Sequence, residues 1–187
     1  FTFVGEALEG VSGLSISQTG AFGGTTTLAI RGAPSSQTLV LIDGISVNDP
    51  SSPGGGYDFS NLLTANIENI EVLKSSQSTL WGSDAIGGII NIITKETKVD
   101  PILNFLLEFG EHNSLKYGVG YNFSKNGNNF LLSANSYQSK GISKADKEDG
   151  NYEKDGFGSQ SYLFKSSHRF FGIDLSTNIN YAEWMFE

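Results

Sequence analysis

The 187-residue sequence contains no cysteine, so it has neither a disulfide framework nor a thiolate metal site. Proline is scarce at 4 residues while glycine is abundant at 23. That imbalance fits a β-rich chain with many tight turns better than a disordered tail. Cations are outnumbered, with 12 Lys and Arg against 20 Asp and Glu and a formal charge of −8. A nucleic-acid partner requires clustered Lys and Arg, so that class is excluded. No apolar run reaches the ~18 residues of a membrane-crossing helix. A membrane is not thereby excluded, because barrel strands alternate lipid-facing and lumen-facing residues and their mean hydropathy is ordinary. The opening Phe1-Thr2-Phe3-Val4 has neither the basic nor the apolar region of a signal peptide. The start therefore reads as internal to a longer precursor. Catalytic groupings are also lacking. His112 and His168 have no cysteine or acidic partner at metal-ligand spacing, and no serine sits in a nucleophile elbow. An enzyme is not expected.

What is present falls into two parts with different patterning. Up to about Lys95, short runs rich in Ile, Val and Leu are closed by glycine turns. A short helix is expected within residues 5–13, closed by glycine. Strands are expected at 14–17, 26–31, 38–42, 67–73 and 89–94, with helical turns at 62–65 and 77–80. Leu39-Val40-Leu41-Ile42 is apolar at every position, as in a strand covered on both faces.

From about Asp100 the period becomes two. Leu103, Phe105, Leu107 and Phe109 alternate with Asn104, Leu106, Glu108 and Gly110. Leu115, Tyr117, Val119, Tyr121 and Phe123 alternate with Lys116, Gly118, Gly120 and Asn122. Further runs cover 130–137, 162–170 and 173–181, and in the last of them Ile173 and Leu175 share the apolar parity. Each run is near the ~9–11 residues with which a tilted strand crosses a bilayer. Periodicity alone leaves a barrel and a soluble sandwich both open. Two details favour the barrel: Tyr and Phe recur near strand ends, and short connections (125–128, 170–172) alternate with a long one (139–159).

The spaced wording Ile30-Arg31-Gly32, Val40-Leu41-Ile42-Asp43-Gly44, Ile67-Glu68-Asn69-Ile70-Glu71-Val72 and Trp81-Gly82-Ser83-Asp84-Ala85-Ile86-Gly87-Gly88 resembles the plug domain of TonB-dependent outer-membrane receptors. The resemblance covers about residues 5–95. It implies an α+β plug over residues 1–97, followed over 98–187 by the first five or so antiparallel strands of an incomplete transmembrane β-barrel. About 22 strands are expected in a complete receptor of this kind. It further implies uptake of a scarce bulky nutrient, cobalamin or a ferric chelate, across the outer membrane of a Gram-negative bacterium. The TonB energy-transducing complex would be the partner and outer-membrane lipid the surroundings, with the TonB contact segment expected before Phe1. The wording and the acidic loop described below place the chain nearest the cobalamin-receptor branch, with ferric-siderophore receptors as the alternative. From another class, the alternative is a soluble β-rich binding or adhesion module, distinguishable by detergent dependence.

Site residues follow from the same resemblance. Arg31 stands between an apolar strand and a turn, where an unpaired buried charge would be costly. The resemblance makes it part of an ionic lock between plug and barrel, with Glu71 and Lys74 as further members. A salt bridge internal to the plug is the alternative. Lys74-Ser75-Ser76 stands where the family usually has Arg-Gly-Pro, which keeps the charge but loses the bidentate fork. The polar stretches 18–25 and 48–57 correspond to ligand-contacting plug loops, giving Gln18, Thr19, Gly20, Phe22, Asn48, Asp49, Ser51, Ser52 and Tyr57 as candidates. Mobile surface is the alternative for both. Asp146, Asp149, Glu153 and Asp155 form an acidic loop suited to calcium or, with Lys140, Lys144, Lys147 and Lys154 interspersed, to plain solvation. Asp43-Gly44 reads as hairpin-turn chemistry. The stretch 82–88 lacks the Gly-Lys-Ser/Thr ending of a phosphate loop and reads as close backbone packing.

Overall fold

Apolar runs separated by X-Gly pairs become strands joined by tight turns throughout the structure. It is a computed structural model and describes residues 1–20, 23–51, 55–97, 101–141 and 154–186. The chain divides into two units, Phe1–Lys95 and Glu96–Glu187.

In the first unit, helix α1 (Val4–Leu8) opens on Glu6, whose carboxylate accepts the N–H groups of Thr2 and Phe3 at 2.8 and 3.3 Å. Val4 and Leu8, one helical turn apart, are buried. The helix ends before Gly10, earlier than the glycine-closed helix read from the sequence. Strands β1 (Leu14–Gln18) and β2 (Thr26–Ile30) pair antiparallel. A four-stranded sheet follows in the order β4-β3-β6-β5, built from β3 (Thr38–Ile42), β4 (Ile45–Ser46), β5 (Ile67–Leu73) and β6 (Gly88–Thr94). Between β5 and β6 lies a one-turn helix α2 (Ser78–Trp81). The helical turn expected at 62–65 is a 3-10 turn at Thr64–Asn66, following the buried Leu62 and Leu63.

Strands β3 and β6 run parallel at the centre of this sheet. Their continuous apolar runs are covered on both faces, as parallel strands require. Val40, Ile90 and Ile92 join Val4, Leu8, Leu28, Ile30 and Phe59 in one core, while Leu39, Leu41 and Ile89 join Ala85 in another. Gly88, at φ 143°, enters this arrangement where a Cβ would strike the Leu73 carbonyl and lie 2.9 Å from Ile30 Cδ1. The close approach expected of the 82–88 stretch is thus located at this residue.

Asp43 does more than the turn chemistry read from the sequence. Asp43 and Gly44 both hold positive φ, at 49° and 81°, in the two-residue turn joining β3 to β4. The Asp43 carboxylate also accepts the Thr94 N–H at 2.9 Å and the Thr94 hydroxyl at 2.5 Å. It thereby fastens the β3 turn to the end of β6, at a threonine that is 1% exposed.

The second unit is one five-stranded antiparallel sheet in the order β11-β10-β9-β8-β7. Its strands are β7 (Ile102–Gly110), β8 (Ser114–Lys125), β9 (Asn128–Ser139), β10 (Phe157–Phe170) and β11 (Ile173–Phe186). The register aligns Phe105, Val119, Ala134, Tyr162 and Tyr181 in one row. Directly opposed residues share a face, so Phe105, Leu107, Tyr117, Val119, Ile173 and Leu175 all lie on the same side of the sheet. Each of the six is exposed, Phe105 at 77% and Val119 at 42%. The opposite side carries Asn104, Glu108, Lys116, Asn122, Asn135 and Ser161, with Lys116 Nζ 3.3 Å from a Glu108 carboxylate oxygen. It is not uniformly polar: Leu131, Tyr137, Phe157 and Leu163 also lie on it and are buried.

Two outcomes test these arrangements. Asp43→Ala leaves the buried Thr94 hydroxyl and amide short of an acceptor, and is expected to destabilise the first unit by about 1–3 kcal/mol in chemical unfolding. Val119→Arg places a charge on the apolar face and is expected to impair assembly in a bilayer by about 2–4 kcal/mol at mid-depth. Gly120→Arg, on the opposite side where an added Cβ would meet its nearest atom at 3.8 Å, is expected to be tolerated. Folded yield by gel mobility compares the two, and equal effects would overturn the parity assignment.

Candidate functional site

Both candidate ligand-contacting stretches of the first unit are anchored by segment 55–60. The Asp58 carboxylate accepts N–H groups from Thr26 at 2.9 Å and Ser60 at 3.0 Å, and Phe59 N–H donates to the Thr26 carbonyl at 2.8 Å. These bonds fix the point where residues 19–25 return to β2. On the other side of segment 55–60, the Asn48 amide nitrogen donates to the Gly55 carbonyl at 3.3 Å. Sequence reasoning misses both anchors, although Asp58-Phe59-Ser60 has the Asp-x-Ser form of a side-chain-to-backbone turn.

The contact candidates divide by what their polar atoms already hold. Asn48 is part of the framework. Its side-chain oxygen accepts the Val40 N–H at 2.8 Å and its nitrogen donates to the Thr38 carbonyl at 3.0 Å. The reason is the two-residue length of β4, which leaves the start of β3 paired with β6 on one side but without a strand on the other, and Asn48 supplies that edge. Tyr57 is also framework. Its ring meets Phe59 edge-on at 5.0 Å and packs against the core. Burial, and secondly the charge of Asp58, push its phenol up to about 12, so Tyr57 offers a neutral ring at physiological pH. Both also remain half-exposed beside the other contact candidates.

Gln18, Thr19, Gly20, Asp49 and Ser51 remain at the exposed surface. Thr19 closes its loop on the Thr25 carbonyl through N–H and hydroxyl at 3.0 and 3.2 Å, while Asp49 accepts the Ser51 N–H and hydroxyl at 2.8 and 2.6 Å. Phe22 and Ser52 lie outside the described residues.

Arg31 is exposed rather than buried, at the first position of a left-handed turn with Gly32 (φ 53° and 79°). The Ala33 N–H closes that turn on the Ile30 carbonyl at 2.9 Å. The Lys74 ammonium donates to the Ser12 carbonyl, and the Glu71 carboxylate accepts the Asn91 side-chain amide at 3.0 Å. The aliphatic stems of Arg31 and Lys74 both lie against Gly13. Among the described residues the three form no ion pair with one another. The premise of a buried guanidinium failed because β2 ends at Ile30, one residue before the charge.

Of the four acids assigned to calcium, Asp146, Asp149 and Glu153 lie outside the described residues, and Asp155 alone lies within them. Among the described residues no three His, Cys, Asp or Glu side chains converge as a metal site would require.

The raised phenol of Tyr57 gives a signed expectation. Deprotonation is less favourable in the folded state than at the ordinary value near 10. The contribution to stability is therefore whole below pH ~10 and is lost as pH rises toward ~12, by roughly 1–2 kcal/mol. Unfolding measured across that window in the wild type and Tyr57→Phe is expected to show the alkaline loss diminished in the variant. Equal slopes would place the ring in water.

Comparison with known proteins agrees with this architecture. Residues 2–89 match the family model described as TonB-dependent Receptor Plug Domain. The chain is 32% identical over 175 residues to the vitamin B12 transporter BtuB of Vibrio vulnificus, covering 91% of this chain and 27% of that protein. It thus spans roughly a quarter of that relative's length. The pyoverdine outer membrane receptor FpvA of Pseudomonas aeruginosa superposes with a TM-score of 0.78 at 14% identity, over 97% of this chain and 25% of that one. The siderophore receptor PirA of Acinetobacter baumannii superposes with a TM-score of 0.76 at 20% identity, over 99% and 29%. At those identities the two structures speak for the fold alone. Receptors of this kind, BtuB among them, are outer-membrane proteins of Gram-negative bacteria. With residues 2–89 matching the plug-domain model and antiparallel strands after them like those that begin a receptor barrel, the chain is similar to the TonB-dependent receptors.

Proposed function

We propose that this chain supplies the plug and first barrel strands of a receptor that imports cobalamin across the outer membrane with energy from TonB. The observation that carries the reading is the 32% identity to a vitamin B12 transporter, which runs through 91% of the chain and so through both units. The plug would act as the gate and the strands as the start of the wall. A ferric chelate is the second reading. It draws on neighbours such as the siderophore receptor PirA, whose likeness at 20% identity is one of fold.

Within this proposal the exposed loop residues Gln18, Thr19, Gly20, Asp49 and Ser51 contribute polar contacts to the nutrient. Asn48 and Tyr57 hold those loops in place. Arg31, Glu71 and Lys74 form an ionic lock with the barrel wall, Glu71 and Lys74 exchanging their partners Asn91 and Ser12 for it, a rearrangement suited to a part that must move. The acidic loop takes calcium, which draws its mutually repelling carboxylates together. Ligand and ion then favour the same ordered state and tighten each other's binding by one factor.

Equilibrium binding of cobalamin and of a ferric catecholate to the assembled receptor, with calcium and with chelator, tests the reading. Cobalamin is expected to bind and the catecholate to fail as a competitor, with affinity falling several-fold in chelator. Uptake is expected to vanish in cells lacking TonB. Binding of the ferric chelate alone would transfer the chain to the siderophore branch, and chelator-independent affinity would remove calcium.

A further inference from the structure

The polar face of the barrel sheet is covered on its middle strands and open on β11. Ser159, Ser161 and Leu163 of β10 lie on that face and are buried, as are Asn135 of β9 and Lys116 of β8. On the same face of β11, Ala182, Asn180, Asn178, Ser176 and Asp174 follow one another toward the hairpin turn, opposite Ser161, Leu163, Lys165, Ser167 and Arg169. Ala182 is half-buried and the other four are exposed. β7, at the other flank, is also open in places on this face, but its column differs in kind. It reads Ile102, Asn104, Leu106 and Glu108, of which Glu108 is paired with Lys116. The β11 column holds amides, a hydroxyl and a carboxylate, and no aliphatic side chain larger than a methyl.

Charge is cancelled along this column. The Arg169 guanidinium holds the Asp174 carboxylate with two bonds, at 2.7 and 3.0 Å. Lys165 and Glu96 bring one charge of each sign to a hollow of about 300 Å³ that Ser167, Ser176 and Asn178 also line. A second hollow, of about 340 Å³, shares Ser167 and Ser176 and reaches Asp174. Side chains brace it from neighbouring strands: Ser124 Oγ donates to Asn129 Oδ1 at 2.5 Å, and Asn129 Nδ2 donates to Ser167 Oγ at 2.9 Å. At its turn end the column therefore opens into recesses of hydroxyl and amide groups with balanced charge. Short turns of outer-membrane barrels face the periplasm.

An asparagine or serine side chain offers donors and acceptors without a fixed charge. Repeated every ~6.6 Å along one face of a strand, such groups can take over one another's bonds to a moving solute while none holds it firmly. Passage needs that combination, because binding must be favourable enough to enter and weak enough to leave. A multiply charged chelate would find no excess of cations on this column. An uncharged solute rimmed with amides, as cobalamin is, finds matching partners at each step.

We propose that the polar column of β11, from Asn180 to Asp174, is a weak-binding track on the barrel wall. It hands an uncharged, amide-bearing nutrient from side chain to side chain toward the turn end. The proposal rests on the cobalamin-importer reading above. Asn180 and Asn104 stand in one row and on one face of the sheet, on β11 and β7, so leucine at each makes a matched pair of variants. Cobalamin uptake at saturation is expected to fall about fivefold in Asn180→Leu, the size of one lost hydrogen bond, and to stay at the wild-type rate in Asn104→Leu. Equilibrium affinity of the assembled receptor is expected to be unchanged in both. Equal uptake by all three receptors, or equal loss in both variants, would overturn the track. So would an affinity loss in Asn180→Leu as large as its uptake loss, which would make Asn180 part of the nutrient's first binding site. Failure of the wild type to bind cobalamin would defeat the importer reading and the track's occupant with it. Thiol accessibility in the assembled receptor gives a readout independent of the nutrient. A cysteine replacing Asn180 is expected to react with a water-soluble maleimide while one replacing the buried Ser161 stays protected, and protection at both would overturn the track whatever is imported.

Discussion

Left-handed two-residue turns are the constraint on which both units depend. Asp43-Gly44, Asn126-Gly127 and Phe171-Gly172 each hold two consecutive residues at positive φ between paired strands. Such a turn leaves no freedom in how its flanking strands pair, because its twist matches theirs and its length fixes which residues oppose each other. In the barrel sheet a slip by one residue would carry Phe105, Val119 and Leu175 to the side of Lys116 and Asn135. The two faces of the sheet stay distinct because the turns forbid that slip.

Much of this was legible in the sequence, for reasons that can be named. The barrel strands showed themselves through alternation, and the X-Gly pairs marked where the alternation reverses direction. Strand ends were less visible: β10 and β11 extend to 14 residues each, beyond the apolar runs that betrayed them, because their ends carry Ser, Gln, Glu and Trp. Arg31 misled because a charge adjoining an apolar run looks buried when the strand is drawn one residue too long. Asn48 and Tyr57 carry a framework role that the sequence does not announce. A polar loop residue reads as available until its partners are known, and those of Asn48 lie on Thr38, Val40 and Gly55. Asp43 reads correctly as a turn residue, yet its bond to Thr94 spans 51 residues and no local pattern could announce it.

The plug unit repeatedly uses side chains where a longer sheet would use backbone. Asn48 stands in for the strand that β4 is too short to provide, Asp58 secures the start of β2, and Asp43 secures the end of β6. Polar loops can then vary at their exposed tips without loosening the sheet, since the fixing contacts sit at the loop bases. The exposed loop positions are thus separated from those that keep the fold.

Among the described residues, β7 and β11 each have a neighbour on one side only. The outer row of N–H and C=O groups on each is a template for another strand, and one face between them carries most of the exposed apolar side chains of the sheet. In water such a sheet is adhesive in two directions at once, edge to edge through hydrogen bonds and face to face through its rings. The features that suit these strands to a wall in lipid would therefore drive copies of the segment, released alone into water, to associate with one another.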